Sequence, residues 1–160
     1  MPGAGHGWRF DEGTSLLEKD EANFRVLASH ANGFIADPFP FEHQGRHFIF
    51  VEQYLNTKRR GCIAVATVDR TGITPPQIVI EEPHHLSYPF VFEHDGQIWM
   101  IPESGAARNV SLYRAVEFPY RWTREACLAK GIEFYDPTPL QHAGGFWFFD
   151  AKGTGLSYDL

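Results

Sequence analysis

A hairpin-sized motif recurs three times in this chain of 160 residues, and that repetition limits the possible folds more than any other feature. The first copy opens Asp37-Pro38-Phe39-Pro40-Phe41-Glu42 and returns through His47-Phe48-Ile49-Phe50-Val51-Glu52. The second opens Tyr88-Pro89-Phe90-Val91-Phe92-Glu93 and returns through Ile98-Trp99-Met100-Ile101-Pro102-Glu103. The third opens Asp136-Pro137-Thr138-Pro139-Leu140-Gln141 and returns through Phe146-Trp147-Phe148-Phe149-Asp150. The openings lie 51 and 48 residues apart. A period of about 50 residues suits a propeller blade of four antiparallel strands better than a helical repeat.

Each copy reads as a β-hairpin. Phe39 and Phe41 alternate with Pro40 and Glu42, and Phe90 and Phe92 with Val91 and Glu93, the period of two expected of a strand. The turns His43-Gln44-Gly45, His94-Asp95-Gly96 and His142-Ala143-Gly144 each carry a glycine where positive φ is needed. The proline near each opening lacks an N–H and suits the first residue of a strand. Further strands are legible at 61–68, 77–80, 110–115 and from Trp122 to Leu128, while the third copy is expected to stop after its hairpin, in Gly153-Thr154-Gly155. The prediction is an all-β chain: a partial β-propeller of about three antiparallel blades over residues 30–160, with blades starting near 37, 88 and 136. An N-terminal segment, 1–29, precedes it, in which a helix over 14–28 and a strand near residues 24–27 are equally legible. An open ring leaves apolar faces and strand edges uncovered, so self-association or completion by another chain is expected.

Composition narrows the partners. A formal net charge of −6 and a pI near 5.7 speak against nucleic acid, which needs a basic face. The apolar run Phe146-Trp147-Phe148-Phe149 is far too short to span a membrane, and residues 1–9 lack the apolar stretch of a signal peptide. Cys62 and Cys127 form no metal or redox motif; they could pair, but fit better as buried thiols of a cytoplasmic protein. There is no phosphate loop, nucleophile elbow or dinucleotide fingerprint, so no cofactor is expected.

The segments Ala36-Asp37-Pro38-Phe39, His85-Leu86-Ser87-Tyr88-Pro89, Ile101-Pro102-Glu103-Ser104, Leu112-Tyr113-Arg114-Ala115 and Asp136-Pro137-Thr138 resemble the N-terminal propeller of the glucosamine inositolphosphorylceramide transferase family. The resemblance covers roughly residues 30 to 150. It implies a five-bladed, furanosidase-like propeller similar to the family 43 glycoside hydrolases, with carbohydrate or a glycoconjugate as partner. It also implies that glycosyl transfer resides in a separate C-terminal domain. The hydrolases use a general-base Asp at an Asp-Pro blade opening, a second Asp that tunes pKa and a general-acid Glu. By position Asp37 matches the base, Asp136 could be the tuning residue, and Glu103, or a residue on a further blade, the acid. Tyr88 departs from the pattern by standing where an Asp might.

Propeller geometry gives an independent reason to look at these positions, because the first strand of each blade lines the central channel. Asp37, Tyr88 and Asp136 are equivalent and should face one axial pocket, where two carboxylates and a phenol could act on a glycosidic bond. An Asp before proline can equally be a structural cap for backbone N–H groups. Glu52 and Glu103 close the return strands and could bind sugar hydroxyls. His85, next to the second opening, is the pocket histidine. Neighbouring His84 should face the other way, so the pair makes a poor metal site and no metal is expected. Three functions stay open: a carbohydrate-associated domain with a partial or vestigial glycosidase-like site, a non-catalytic glycan-binding or scaffolding module, or a truncated fragment without independent activity. Whether the chain is an enzyme is open with them.

Overall fold

The computed structural model describes residues 32–70 and 72–151 in full, and the backbone of the strands at Arg9–Phe10, Arg25–Val26 and Gly155–Tyr158. Strand β1 (Arg9–Phe10) pairs antiparallel with β2 (Arg25–Val26). Phe24 and Leu27, which flank β2 in the expected strand, lie outside the described residues.

Three antiparallel sheets follow. The first blade runs β3 (Gly33–His43), β4 (Arg46–Leu55) and β5 (Arg60–Asp69), with the short β6 (Gly72–Ile73) and then β7 (Gln77–Ile80) both pairing with β5. The second runs β8 (Ser87–His94), β9 (Gln97–Glu103), β10 (Asn109–Glu117) and β11 (Arg121–Lys130) in sequence order. The third has β12 (Thr138–His142), β13 (Gly145–Phe149) and β14 (Gly155–Tyr158). Among the described residues the helical content is one 3₁₀ turn, Gly105–Ala107, and no helix is long and apolar enough to cross a membrane. The chain is thus a partial β-propeller of three antiparallel blades.

β14 corrects the expectation that the third copy ends with its hairpin. It pairs along β13 from Phe146↔Tyr158 to Phe149↔Gly155. A bare β13 would expose a row of unpaired N–H and C=O groups, and the segment after Gly153-Thr154 occupies that edge. The hairpin turns have positive φ at both central residues: Gln44 and Gly45 (52° and 72°), Asp95 and Gly96 (48° and 69°), Ala143 and Gly144 (52° and 84°). That pair of signs is the type I′ turn, whose twist matches the strands it joins.

Burial follows from the stacking of blades. Six consecutive residues of β4, Phe48 to Gln53, are buried, because both faces of that sheet are covered. Phe48, Phe50, Ile63, Ile98, Met100 and Tyr113 fill the space between the first and second blades. Phe118, from the β10–β11 turn, sets its ring against Phe41, Phe48, Phe50 and Trp122 at centroid distances of 4.9 to 6.3 Å. Ile101, Leu112, Leu128, Phe134, Phe146 and Phe148 fill the space between the second and third. β13 instead alternates. Phe146 and Phe148 are buried while Trp147 and Phe149 stand 46% and 49% exposed, beside Leu140. Phe48 and Phe148 lie in the core, Trp99 is half-buried against it, and Trp147 lies on an open face.

The inter-blade core carries the fold. Phe50 is fully buried, so Phe50→Ala is expected to destabilise the chain by about 3–5 kcal/mol, read as a fall in denaturation midpoint, whereas exposed Val116→Ala should change it by less than about 0.5 kcal/mol.

Candidate functional site at the blade openings

The openings are bulged. Pairing slips between Ala36 and Phe39, and again between Ser87 and Phe90, so two opening residues oppose one of the return strand. Asp37, Tyr88 and Asp136 have left-handed backbones, with φ of 48°, 43° and 51°. A residue before proline is normally extended, and a non-glycine residue held in this region costs on the order of 1–3 kcal/mol. Three equal departures at equivalent positions mark a feature built into the repeat.

Hydrogen bonds to the opening amides hold these turns. The Tyr88 N–H donates to Asp37 Oδ2 at 3.1 Å, and the Asp136 N–H donates to Glu103 Oε2 at 3.2 Å. Each opening is therefore tied to a carboxylate of the preceding blade. The donor is equivalent in the two cases and the acceptor is not: the first blade uses its opening Asp, the second the end of its return strand. Tyr88 has no carboxylate to offer, and its hydroxyl lies 3.1 Å from Thr138 Oγ1 instead.

Glu52 and His85 form the other half of the site. Glu52 lies in the covered part of β4, its side chain only 7% exposed. His85 lies in the loop before β8. Its Nδ1 accepts the Gly61 N–H at 2.9 Å, which leaves the neutral ring's proton on Nε2. Nε2 stands 3.4 Å from Glu52 Oε1, yet among the described residues that oxygen has no hydrogen-bond partner. Gly61 allows the approach: a Cβ there would lie 2.5 Å from Glu52 Oε1 and 2.4 Å from the Leu86 carbonyl oxygen.

The acids feel one another. Burial first, then the charges of Asp37 and Glu103, push Glu52 up to about 7. Burial also dominates at Glu103 and lifts it to about 7; the Asp136 N–H opposes that lift, and the Asp136 and Asp37 charges add to it. Burial holds His85 below its ordinary range, with Asp37 pulling the other way. All six residues singled out from sequence, Asp37, Glu52, His85, Tyr88, Glu103 and Asp136, thus meet where the three blades open. His84 does not join them; its surroundings are Glu82, Arg124 and Arg60. Arg108 bonds Glu133 at 2.9 Å and does not pair with Glu103. His43 and His94 recur as packing groups, each 5.0 Å edge-on from a phenylalanine ring, Phe118 or Phe146. Among the described residues no three His, Cys, Asp or Glu side chains are placed to hold a metal ion.

Sequence reasoning missed Thr138 and Gly61. Thr138 is visible as a break in pattern, since Phe39 and Phe90 occupy its position in the other blades and pack against each other, tilted, with centroids 4.7 Å apart. Gly61 had no signal of its own.

A partial propeller with an acidic cluster at its blade openings is the class of protein that fold and site define. Structural comparison agrees on the fold. The chain superposes on an α-L-arabinofuranosidase from Lactobacillus brevis with a TM-score of 0.62 at 10% identity, covering 88% of this chain and 57% of that one. A Bacteroides ovatus protein titled Xyloglucan PUL GH43B gives 0.58 at 14% identity, over 79% of this chain and 26% of that one. An exo-1,5-α-L-arabinanase from a bovine ruminal metagenomic library gives 0.52 at 16% identity, over 84% and 58%. Sequence comparison gives the family. Residues 23–159 match the family described as Glucosamine inositolphosphorylceramide transferase 1, N-terminal, and the chain belongs to it. It is 36% identical over 127 residues to Glucosamine inositolphosphorylceramide transferase 1 of Arabidopsis thaliana and 35% identical to that of Oryza sativa subsp. indica, covering 78% of this chain in each. It spans only 16% and 17% of those relatives' lengths.

The raised acids make stability depend on pH. A carboxyl that ionises near 7 in the fold and at its ordinary 4.5 when unfolded binds its proton more tightly in the fold. Its favourable contribution is complete below 4.5 and lost as pH rises through 7. Glu52→Gln and Glu103→Gln should each flatten the decline in melting temperature across that window, measured by thermal denaturation at successive pH values.

Proposed function

We propose that this chain is a carbohydrate-associated propeller domain that binds a saccharide at its blade openings, through a partial glycosidase-like site. The observation that carries the reading is the meeting of Asp37, Glu52, Glu103 and Asp136 in one region, where Glu52 and Glu103 are raised to about 7. Carboxylates that share protons near neutral pH can donate to and accept from sugar hydroxyls, and such perturbed groups collect at functional sites. In this reading Glu103 is the acid candidate, Asp37 the base candidate and Asp136 the group that tunes them, with Tyr88, His85 and Glu52 holding the sugar. The relatives' name points to glucosamine, and an acidic site suits a cationic amino sugar.

A non-catalytic binding module is the second reading, and one observation favours it. Asp37 and Glu103 already accept backbone N–H groups from the next blade, which is structural work. A titration with glucosamine, followed by NMR of the full chain, tests both. Binding is expected, weakened about tenfold or more in Glu52→Gln, the loss typical of a charge-assisted hydrogen bond. No binding at millimolar sugar overturns the proposal. Assay with aryl glycosides separates the readings: turnover abolished in Asp37→Asn supports the hydrolase-like site, and binding without turnover supports the module.

The partner proposal concerns Leu140, Trp147 and Phe149, the exposed face of the third blade. In the first two blades the equivalent face is covered by the blade that follows. Among the described residues nothing covers that face, and the chain as given is expected to self-associate through it; Trp147→Glu should shift it toward monomer in sedimentation velocity.

A further inference from the structure

The two joints between blades are built alike but hold different groups. At the first, Asp37 Oδ2 accepts the Tyr88 N–H, and Tyr88 turns its own hydroxyl toward Thr138 Oγ1, 3.1 Å away. At the second, Glu103 Oε2 accepts the Asp136 N–H at 3.2 Å, and the opening residue brings a second carboxyl with it. The carboxyl groups of Glu103 and Asp136 are hydrogen-bonded to each other as well. An ionised carboxylate only accepts, so a bond between two carboxyl groups lasts only while one of them keeps its proton. That proton bridges the end of β9 and the opening of the third blade.

The surroundings favour keeping it. The charges that weigh on Glu103 are those of Asp136 and of Asp37 at the first opening, and the charge of Glu103 weighs in turn on Glu52 of β4. Beyond Glu52 stands His85, which burial holds below its ordinary range. On the other side the Tyr135 ring closes in: a Cβ on Gly105 would lie 3.4 Å from Tyr135 Cε1 and 3.6 Å from Glu103 Oε1. Arg108 is taken up by Glu133 and by the Gly131 carbonyl oxygen, at 2.9 and 2.8 Å. Loss of the proton leaves two like charges in contact across the joint, and repulsion replaces their hydrogen bond. The apolar layer of Ile101, Phe146 and Phe148 is unaffected by that change, so the blade loosens at its opening rather than unfolding.

We propose that a proton shared by Glu103 and Asp136 latches the third blade to the second, and that this joint loosens as pH rises toward neutrality while the joint at Tyr88 holds. The latch needs no ligand and stands whether or not the openings bind a saccharide. When it opens, Asp136 and Thr138 lose their fixed place beside the other opening residues.

Hydrogen–deuterium exchange of the full chain, corrected for the intrinsic effect of pH on amide exchange, tests the latch. Glu103 is raised from 4.5 to about 7 in the closed joint, so the closed joint binds more protons than the open one between those values. Opening of the third-blade strands β12 and β13 should therefore increase by up to about tenfold per pH unit across that window and level off above it. The first-blade strands β3 and β4, whose joint shares no proton, should rise less. Asp136→Asn and Glu103→Gln replace the shared proton with an amide N–H, and each should remove the excess in the third blade. Glu52→Gln, which leaves the pair intact, should not. Equal rises in the first and third blades, or an excess that survives in both Asp136→Asn and Glu103→Gln, would overturn the latch.

Discussion

Successive blades are joined where they open, through a backbone amide of one blade and a carboxylate of the blade before it. Tyr88 N–H on Asp37, and Asp136 N–H on Glu103, are the two instances. Each amide belongs to a residue whose φ is positive and whose successor is proline, a conformation the chain avoids unless its surroundings fix it. The hydrogen bonds supply that fixing. The aromatic layers behind them, with Phe48, Phe50 and Met100 between the first two blades and Phe146 and Phe148 between the last two, supply the apolar burial that makes the arrangement stable.

The same joints create the site. Tying openings with carboxylates draws Asp37 and Glu103 inward, and Glu52 and Asp136 lie close enough for their charges to be felt. Burial and mutual repulsion then oppose full ionisation, and the raised acids are the result. A binding function at this place needs no separate scaffold, because the acids are already held by strands stiffened on both sides. Glu52 differs from the others. Its Oε1 is buried without a hydrogen-bond partner among the described residues, so burial weighs on its charge unrelieved.

Much of this was legible in the residues. Alternation in 39–42 and 90–93, glycines at the turns and the 51- and 48-residue spacings led to blades, and the equivalence of Asp37, Tyr88 and Asp136 led to a common locus. The misreadings have physical causes. β14 is hard to read from sequence because Gly155-Leu156-Ser157-Tyr158 is short and weakly patterned, and it is its pairing along the edge of β13 that makes it a strand. Trp147 holds the position of Phe48 and Trp99, yet its burial requires a covering blade, which no local pattern reports. Thr138 and Gly61 escape a local reading because each acts through a contact with a distant partner, Tyr88 and His85.

By itself the sequence determined the strands, their turns and their repetition, since periodicity, proline and glycine act over a few neighbouring residues. It also determined which side chains stand at the blade openings. Only the tertiary structure decided how those side chains are used: that Glu103 rather than Tyr88 caps the third opening, that a glycine amide fixes the proton of His85 on Nε2, and that a buried oxygen of Glu52 is left without a partner. The reason is distance along the chain. Those contacts join residues 24 to 33 positions apart, or depend on the dielectric and charge of a region assembled from three blades, and local pattern carries no information about either.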